Sequence, residues 1–171
     1  MNKILPAVFI ATLAIAAHAQ TPPAAPQTPP PPPARGPALD LALEAAKVAL
    51  ESCKNIDQKV GVSVIDSAGE LKVLLASDGA PTRGVHNSTL KAQTALTFNA
   101  PTSLLAEQIK TDKALADRFA ANPNYLNRAG GILIKVGNDV IGAIGVGGAR
   151  GSEKDEACAV AGLEKVQSRL N

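Results

Sequence analysis

The chain of 171 residues has no tryptophan, one tyrosine, three phenylalanines, one methionine, two histidines and two cysteines. Each scarcity removes a class of chemistry. Without a series of aromatics beside a basic stripe, a nucleic-acid platform has no stacking surface. Two histidines rule out a histidine-rich zinc centre, and a Cys/His structural site lacks ligands. No Cys-x-x-Cys occurs, which argues against dithiol redox catalysis. No Gly-x-Ser-x-Gly elbow occurs, and no Gly-Lys-Ser/Thr phosphate loop. After the first twenty residues no apolar run reaches membrane length.

What is present sorts the chain into three parts. Residues 1–19 carry Lys3, the apolar run Leu5–Ala17 and the small-x-small site Ala17-His18-Ala19, the pattern of a secretory signal peptide cleaved before Gln20. Residues 20–37 hold nine of the thirteen prolines and cannot build a core, so they are expected to form an extended tether. Residues 38–171 are long enough for one folded domain. Removing the leader takes away Lys3 and leaves a nearly neutral protein, with His86 as its one histidine and Phe98, Phe119 and Tyr125 as its aromatics. The expected location is outside the cytoplasm, periplasmic or secreted, with no stable membrane insertion once the leader is gone.

The domain is organised around residues 130–148, GGILIKVGNDVIGAIGVGG. Two β-branched runs, Ile132–Val136 and Val140–Val146, flank Gly137-Asn138-Asp139, a hairpin signal. Gly142 and Gly145 leave room for another element to pack close to the second strand. Gly147, Gly148 and Gly151 then lead into Ser152-Glu153-Lys154-Asp155, read as a helix start capped by Ser152. A dinucleotide fingerprint is the competing reading of these glycines, but the spacing has one residue too many and the flanking hairpin is not a βαβ unit. The exposed amides of such a turn can still hold a carboxylate or phosphate.

Upstream, Leu39, Ala42, Leu43, Ala46, Ala49, Leu50 and Cys53 recur at helical spacing. Val60–Ile65 and Leu71–Ala76, separated by Asp66-Ser67-Ala68-Gly69, read as a first hairpin. A loop through Asn87 precedes a helix over Ser88–Phe98, and a second helix runs from Thr102 to about Ala120. The expected fold class is α/β of the α+β type: a mainly antiparallel sheet of about five strands, from two hairpins and a short strand near Tyr125, flanked by terminal and middle helices. Cys53 and Cys158, one in each terminal helix, form a disulfide if both helices cover one sheet face, or remain two buried thiols if they do not.

The most distinctive polar segment runs from Arg83 to Ala95, placing His86, Lys91 and Thr94 around one helix start. An imidazole there is a candidate ligand for a metal or haem iron. At this point several ordered motifs coincide: Lys91-Ala92-Gln93-Thr94-Ala95, Pro101-Thr102, Gly130-Gly131, Ile141-Gly142-Ala143-Ile144-Gly145-Val146 and Asp155-Glu156-Ala157-Cys158-Ala159. Together they resemble the GlcG/HbpS-type haem-binding family, whose domain also occurs at the C-terminal end of PduO-type proteins. The resemblance covers about residues 40–171. It implies a compact fold that assembles into homo-oligomers, haem binding, and haem breakdown in some branches. It also implies Lys91 and Thr94 on a haem-facing surface, with His86 or Thr94 at the metal and Arg83, Tyr125 or Arg128 among the haem contacts. Gly147-Gly148 departs from the Ser-Gly of many relatives and removes a hydroxyl. With so few aromatics, the haem site is expected to be shallow or shared between subunits, with Arg83 or Arg128 pairing with propionates.

Three functions follow. The first is an exported haem-binding protein in a non-catalytic storage, sensing or handling role. The second is a ligand-sensing or assembly module that does not bind haem. The third is a haem-degrading or peroxide-linked enzyme, with Tyr125 or Lys91 as proton donor.

Overall fold

A computed structural model describes residues 33–171; the expected leader and most of the proline-rich segment lie outside the described residues. The elements are α1 (Leu39–Lys54), β1 (Gly61–Asp66), β2 (Leu71–Ala76), α2 (Thr82–Phe98), α3 (Thr102–Gln108), α4 (Lys113–Ala121), β3 (Gly131–Val136), β4 (Asp139–Gly147) and α5 (Ser152–Val166), closed by a 3₁₀ turn. The four strands form one sheet in the order β2-β1-β4-β3, with every pair antiparallel. The two hairpins stand as expected, whereas the fifth strand does not form. Tyr125 instead closes a turn begun at Asn122, its amide donating to the Asn122 carbonyl at 3.1 Å, while the Asn122 side chain accepts from the Asn124 amide and Pro123 sits between them.

Alternation along the strands decides which helix goes where. Val62, Val64, Ile132, Ile134, Ile144 and Val146 point to one face and join the buried alanines of α1 and α5 in the larger core. Those two helices lie side by side, and Gly162 of α5 sits so close to the Ala45 carbonyl of α1 that no methyl would fit. Cys53 and Cys158 are disulfide-bonded, with Cα atoms 5.5 Å apart.

The opposite face is built for close approach. Gly61, Ser63, Gly131, Ala143, Gly145 and Gly147 present almost no side chain, and α2 answers with Gly84, Ser88, Ala92 and Ala95. A methyl on Gly145 would collide with the Ser88 carbonyl, one on Gly131 with the Lys91 carbonyl, and one on Gly147 with the Gly84 carbonyl. The helix backbone therefore rests on the strand backbones. Ser63 and Ser88 bond each other across the seam at 2.7 Å, which satisfies two buried hydroxyls.

Helix boundaries depart from the sequence reading at three places. α2 begins at Thr82, so His86 is in the helix and not on a preceding loop. Pro81, with its φ preset at −63°, serves as the residue before the first turn, and Gly84, inside the helix, packs against Gly148. The middle helix is two helices, because Asp112 accepts from the Leu115 amide and starts α4 afresh. Gly151, not Ser152, precedes α5, and Ser152 makes no capping bond. α4 buries no residue of its own. It is pinned by Phe119, which stacks on Phe98 at 4.8 Å while Tyr125 meets Phe98 edge-on at 5.0 Å. No helix among the described residues is long and apolar enough to cross a membrane.

The disulfide closes 105 residues of chain. By the chain-entropy account, a loop of about 100 residues is worth about 4.7 kcal/mol. Reduction, or the Cys53→Ser/Cys158→Ser pair, should lower the urea midpoint by a loss of that order with the far-ultraviolet spectrum retained. An unchanged midpoint would remove the bridge as a source of stability.

Candidate functional site

The close seating of α2 drives one charged side chain beneath the glycine loop. Lys91 lies on the inward face of the helix, between Ser88 and Ala95, and is 3% exposed. Its Nζ donates to the Val146 carbonyl at 3.0 Å and to Asp155 Oδ2 at 2.7 Å. Asp155, on the first turns of α5, is equally buried, and its Oδ1 accepts from the Ala149 amide at 2.9 Å. One ion pair thus ties α2, the end of β4, the glycine loop and α5 together. Loss of solvent pushes the Lys91 ammonium below its ordinary value, opposed by the attraction of Asp155. The same burial pushes the Asp155 carboxyl up, opposed by Lys91 and by the amides of Ala149 and Gly148.

Above this pair is a cleft of about 480 Å³, between the start of α2, the glycine loop and the start of α5. Arg83, Asn87 and Lys91, four residues apart along one face of α2, line it with Arg128, Gly148 and Asp155. The cleft therefore gathers three of the candidate residues: Arg83, Lys91 and Arg128. Tyr125 is elsewhere, in a second hollow beside the β1–β2 turn with Gln93 and Leu96. Thr94 is fully buried; its hydroxyl donates to the Leu90 carbonyl at 2.7 Å and accepts from the Leu126 amide at 3.0 Å. His86 is exposed on the outer side of α2 and lines neither hollow. His86 and Thr94 are eight residues apart, roughly 12 Å along the helix axis. The fold does not bring them together at one metal. Among the described residues no three His, Cys, Asp or Glu side chains converge as metal ligands.

Asp155 is the residue that the sequence reading missed. In the sequence it appears only within a helix start and a family motif, with no partner assigned. A signal for it did exist: Lys91 falls on the small-residue stripe of α2, and a lysine on a buried stripe requires a buried counter-charge.

A family model described as "Haem degrading protein HbpS-like" matches residues 38–164. The chain belongs to the HbpS-like family. A solved double mutant of HbpS from Streptomyces reticuli is 32% identical, with a TM-score of 0.72 over 85% of this chain and 99% of that one. The Klebsiella pneumoniae protein ORFY is 22% identical with a TM-score of 0.73, covering 85% of this chain and 100% of that one. The structure of a complex of PduOC with haem is 19% identical with a TM-score of 0.68, covering 74% of this chain and 92% of that one. The last two show likeness of fold. No curated protein matches the chain.

A family associated with haem raises the question of fit. The cleft has no aromatic or large aliphatic side chain among its lining residues, so it does not suit an enclosed macrocycle. Both cysteine sulfurs are tied in the disulfide, and Thr94 has both its bonds satisfied inside the fold. The outer face of α2 fits better as an open surface. It carries His86 with Leu90 one turn further on, an imidazole beside an apolar contact.

The ion pair should behave as a unit. Lys91→Met strands a buried carboxylate and should cost about 3–5 kcal/mol in a urea titration. Adding Asp155→Asn should restore part of that loss, because the amide oxygen still accepts from the loop and no charge stays buried. Purely additive losses would mean that the two side chains are not coupled.

Proposed function

We propose that this protein binds haem on the open outer face of α2, with His86 as the iron ligand, and promotes its breakdown. Membership of the HbpS-like family over residues 38–164 carries this reading, since the matching description names haem degradation. That description favours the enzymatic alternative over a purely non-catalytic storage role. A protein of the same fold solved with haem is consistent with haem as the ligand. Haem, when bound, would supply a redox-active iron, and its breakdown would need a small oxidant such as peroxide or dioxygen. In this chain His86 would hold the iron, and the half-buried Leu90 one turn further on would offer it an apolar neighbour. A lysine in the buried pair or the Tyr125 hydroxyl serves as proton donor only if the ring extends to one of the two hollows.

Haemin added to the protein from Gln20 onward should give a sharpened Soret band that is lost in His86→Ala. No spectral change at micromolar haemin would end the haem reading and leave a ligand-sensing or assembly module in its place. With ascorbate or hydrogen peroxide added, the wild-type complex should lose its Soret absorbance faster than free haemin. A stable band through that treatment would return the protein to storage or handling.

We further infer export and homo-oligomeric assembly. The bridge between Cys53 and Cys158 suits an oxidising compartment. The mature mass should correspond to a chain beginning at Gln20. Light scattering should give a multiple of that mass. Recovery of the uncleaved chain from the cytoplasm with both thiols free would contradict export.

A further inference from the structure

We propose that the cleft over Lys91 is a binding site for a small ligand bearing an oxyanion, a carboxylate or phosphate held between Arg83 and Arg128. The inference does not rest on haem binding, since the cleft and His86 occupy different faces of α2.

Charge is the first support. Three cations, Arg83, Lys91 and Arg128, line the cleft against one carboxylate, Asp155. That carboxylate is already engaged by Lys91 and by the loop amides. The neighbouring carboxylate, Glu156, accepts from the Ser103 hydroxyl and the Gly130 amide. Among the described residues, neither Arg83 nor Arg128 makes a salt bridge, whereas Arg35 and Arg169 do. Two guanidinium groups without a carboxylate partner therefore flank one concavity. Their planar donor forks match a carboxylate or phosphate. Arg128 is close enough for its charge to be felt by the Lys91 ammonium.

The floor is the second support. An ammonium has three donors, and Lys91 directs two of them to Val146 and Asp155. The remaining one belongs to a nearly fully buried group that itself lines the cleft. Size and polarity then limit the ligand. Besides the charged groups the walls are glycine, asparagine and serine with only Pro81 and Ala149 as small apolar side chains, so the site suits a compact polar acid and not a macrocycle.

The test titrates the whole mature protein with inorganic phosphate and, separately, with oxalate at constant ionic strength, following the Gly84 and Gly148 amide resonances. Saturable shifts and a raised melting temperature are expected with at least one anion. Arg83→Gln and Arg128→Gln should each weaken binding about tenfold, and the double variant should abolish it. Both arginines are exposed, so these variants should fold. Shifts that never saturate, or equal binding by the double variant, would overturn the proposal. Haemin and its dimethyl ester form the third arm. Competition with the small anion by haemin but not by the ester would keep the site and identify a propionate as its oxyanion. Small-anion binding without a haemin spectrum would keep the site while the haem reading falls. A haemin spectrum without any small-anion binding would do the reverse.

Discussion

The approach of one helix backbone to one sheet face governs the rest of this structure. Glycines at positions 61, 131, 145 and 147 leave no side chains to hold α2 away, and Gly84, Ser88 and Ala92 complete the contact. A helix seated that deeply cannot keep its inward lysine in water. Lys91 must then find a counter-charge, and Asp155 reaches it from α5 across the end of β4. The cleft, its basic rim and the position of the glycine loop follow from this seating.

The scarcity of aromatics has a structural consequence as well as a chemical one. Phe98, Phe119 and Tyr125 form one cluster that pins α4 against the end of α2, with Arg118 4.6 Å above the Phe98 ring. The first cleft is left with glycine, polar and charged walls. Walls of that kind give an enclosed macrocycle no large apolar side chain to rest on. The two ligand proposals divide along that line: haem on the outer face of α2, a small acid in the cleft.

Much of the fold was legible because its signals are periodic. The alanines of α1, the alternating valines of β1 and a reversal at Gly137-Asn138 each follow from spacing alone, although Asp139, read as part of the turn, pairs with Val136 as the first residue of β4. Family membership was legible from ordered motifs that span nearly the whole domain. Errors gathered where a local breaker is overruled by packing. Pro81 and Gly84 looked like loop residues, yet one starts α2 and the other lets it touch Gly148. Conversely, Thr102 to Ala120 carried continuous helical pattern, and Asp112 interrupted it by accepting a bond from the Leu115 amide and capping a new helix.

By itself the sequence determined the antiparallel hairpins, the helix that opens the domain, the helix that closes it and the identity of the family. These depend on periodicity and short-range geometry, which a linear pattern carries. Only the tertiary structure decided that Lys91 belongs to Asp155, that Thr94 is satisfied internally, and that Arg83 and Arg128 share a cleft while His86 faces away. Those facts depend on how far α2 sinks onto the sheet and how it is rotated, and residues 64 apart in the chain meet only when that depth is set.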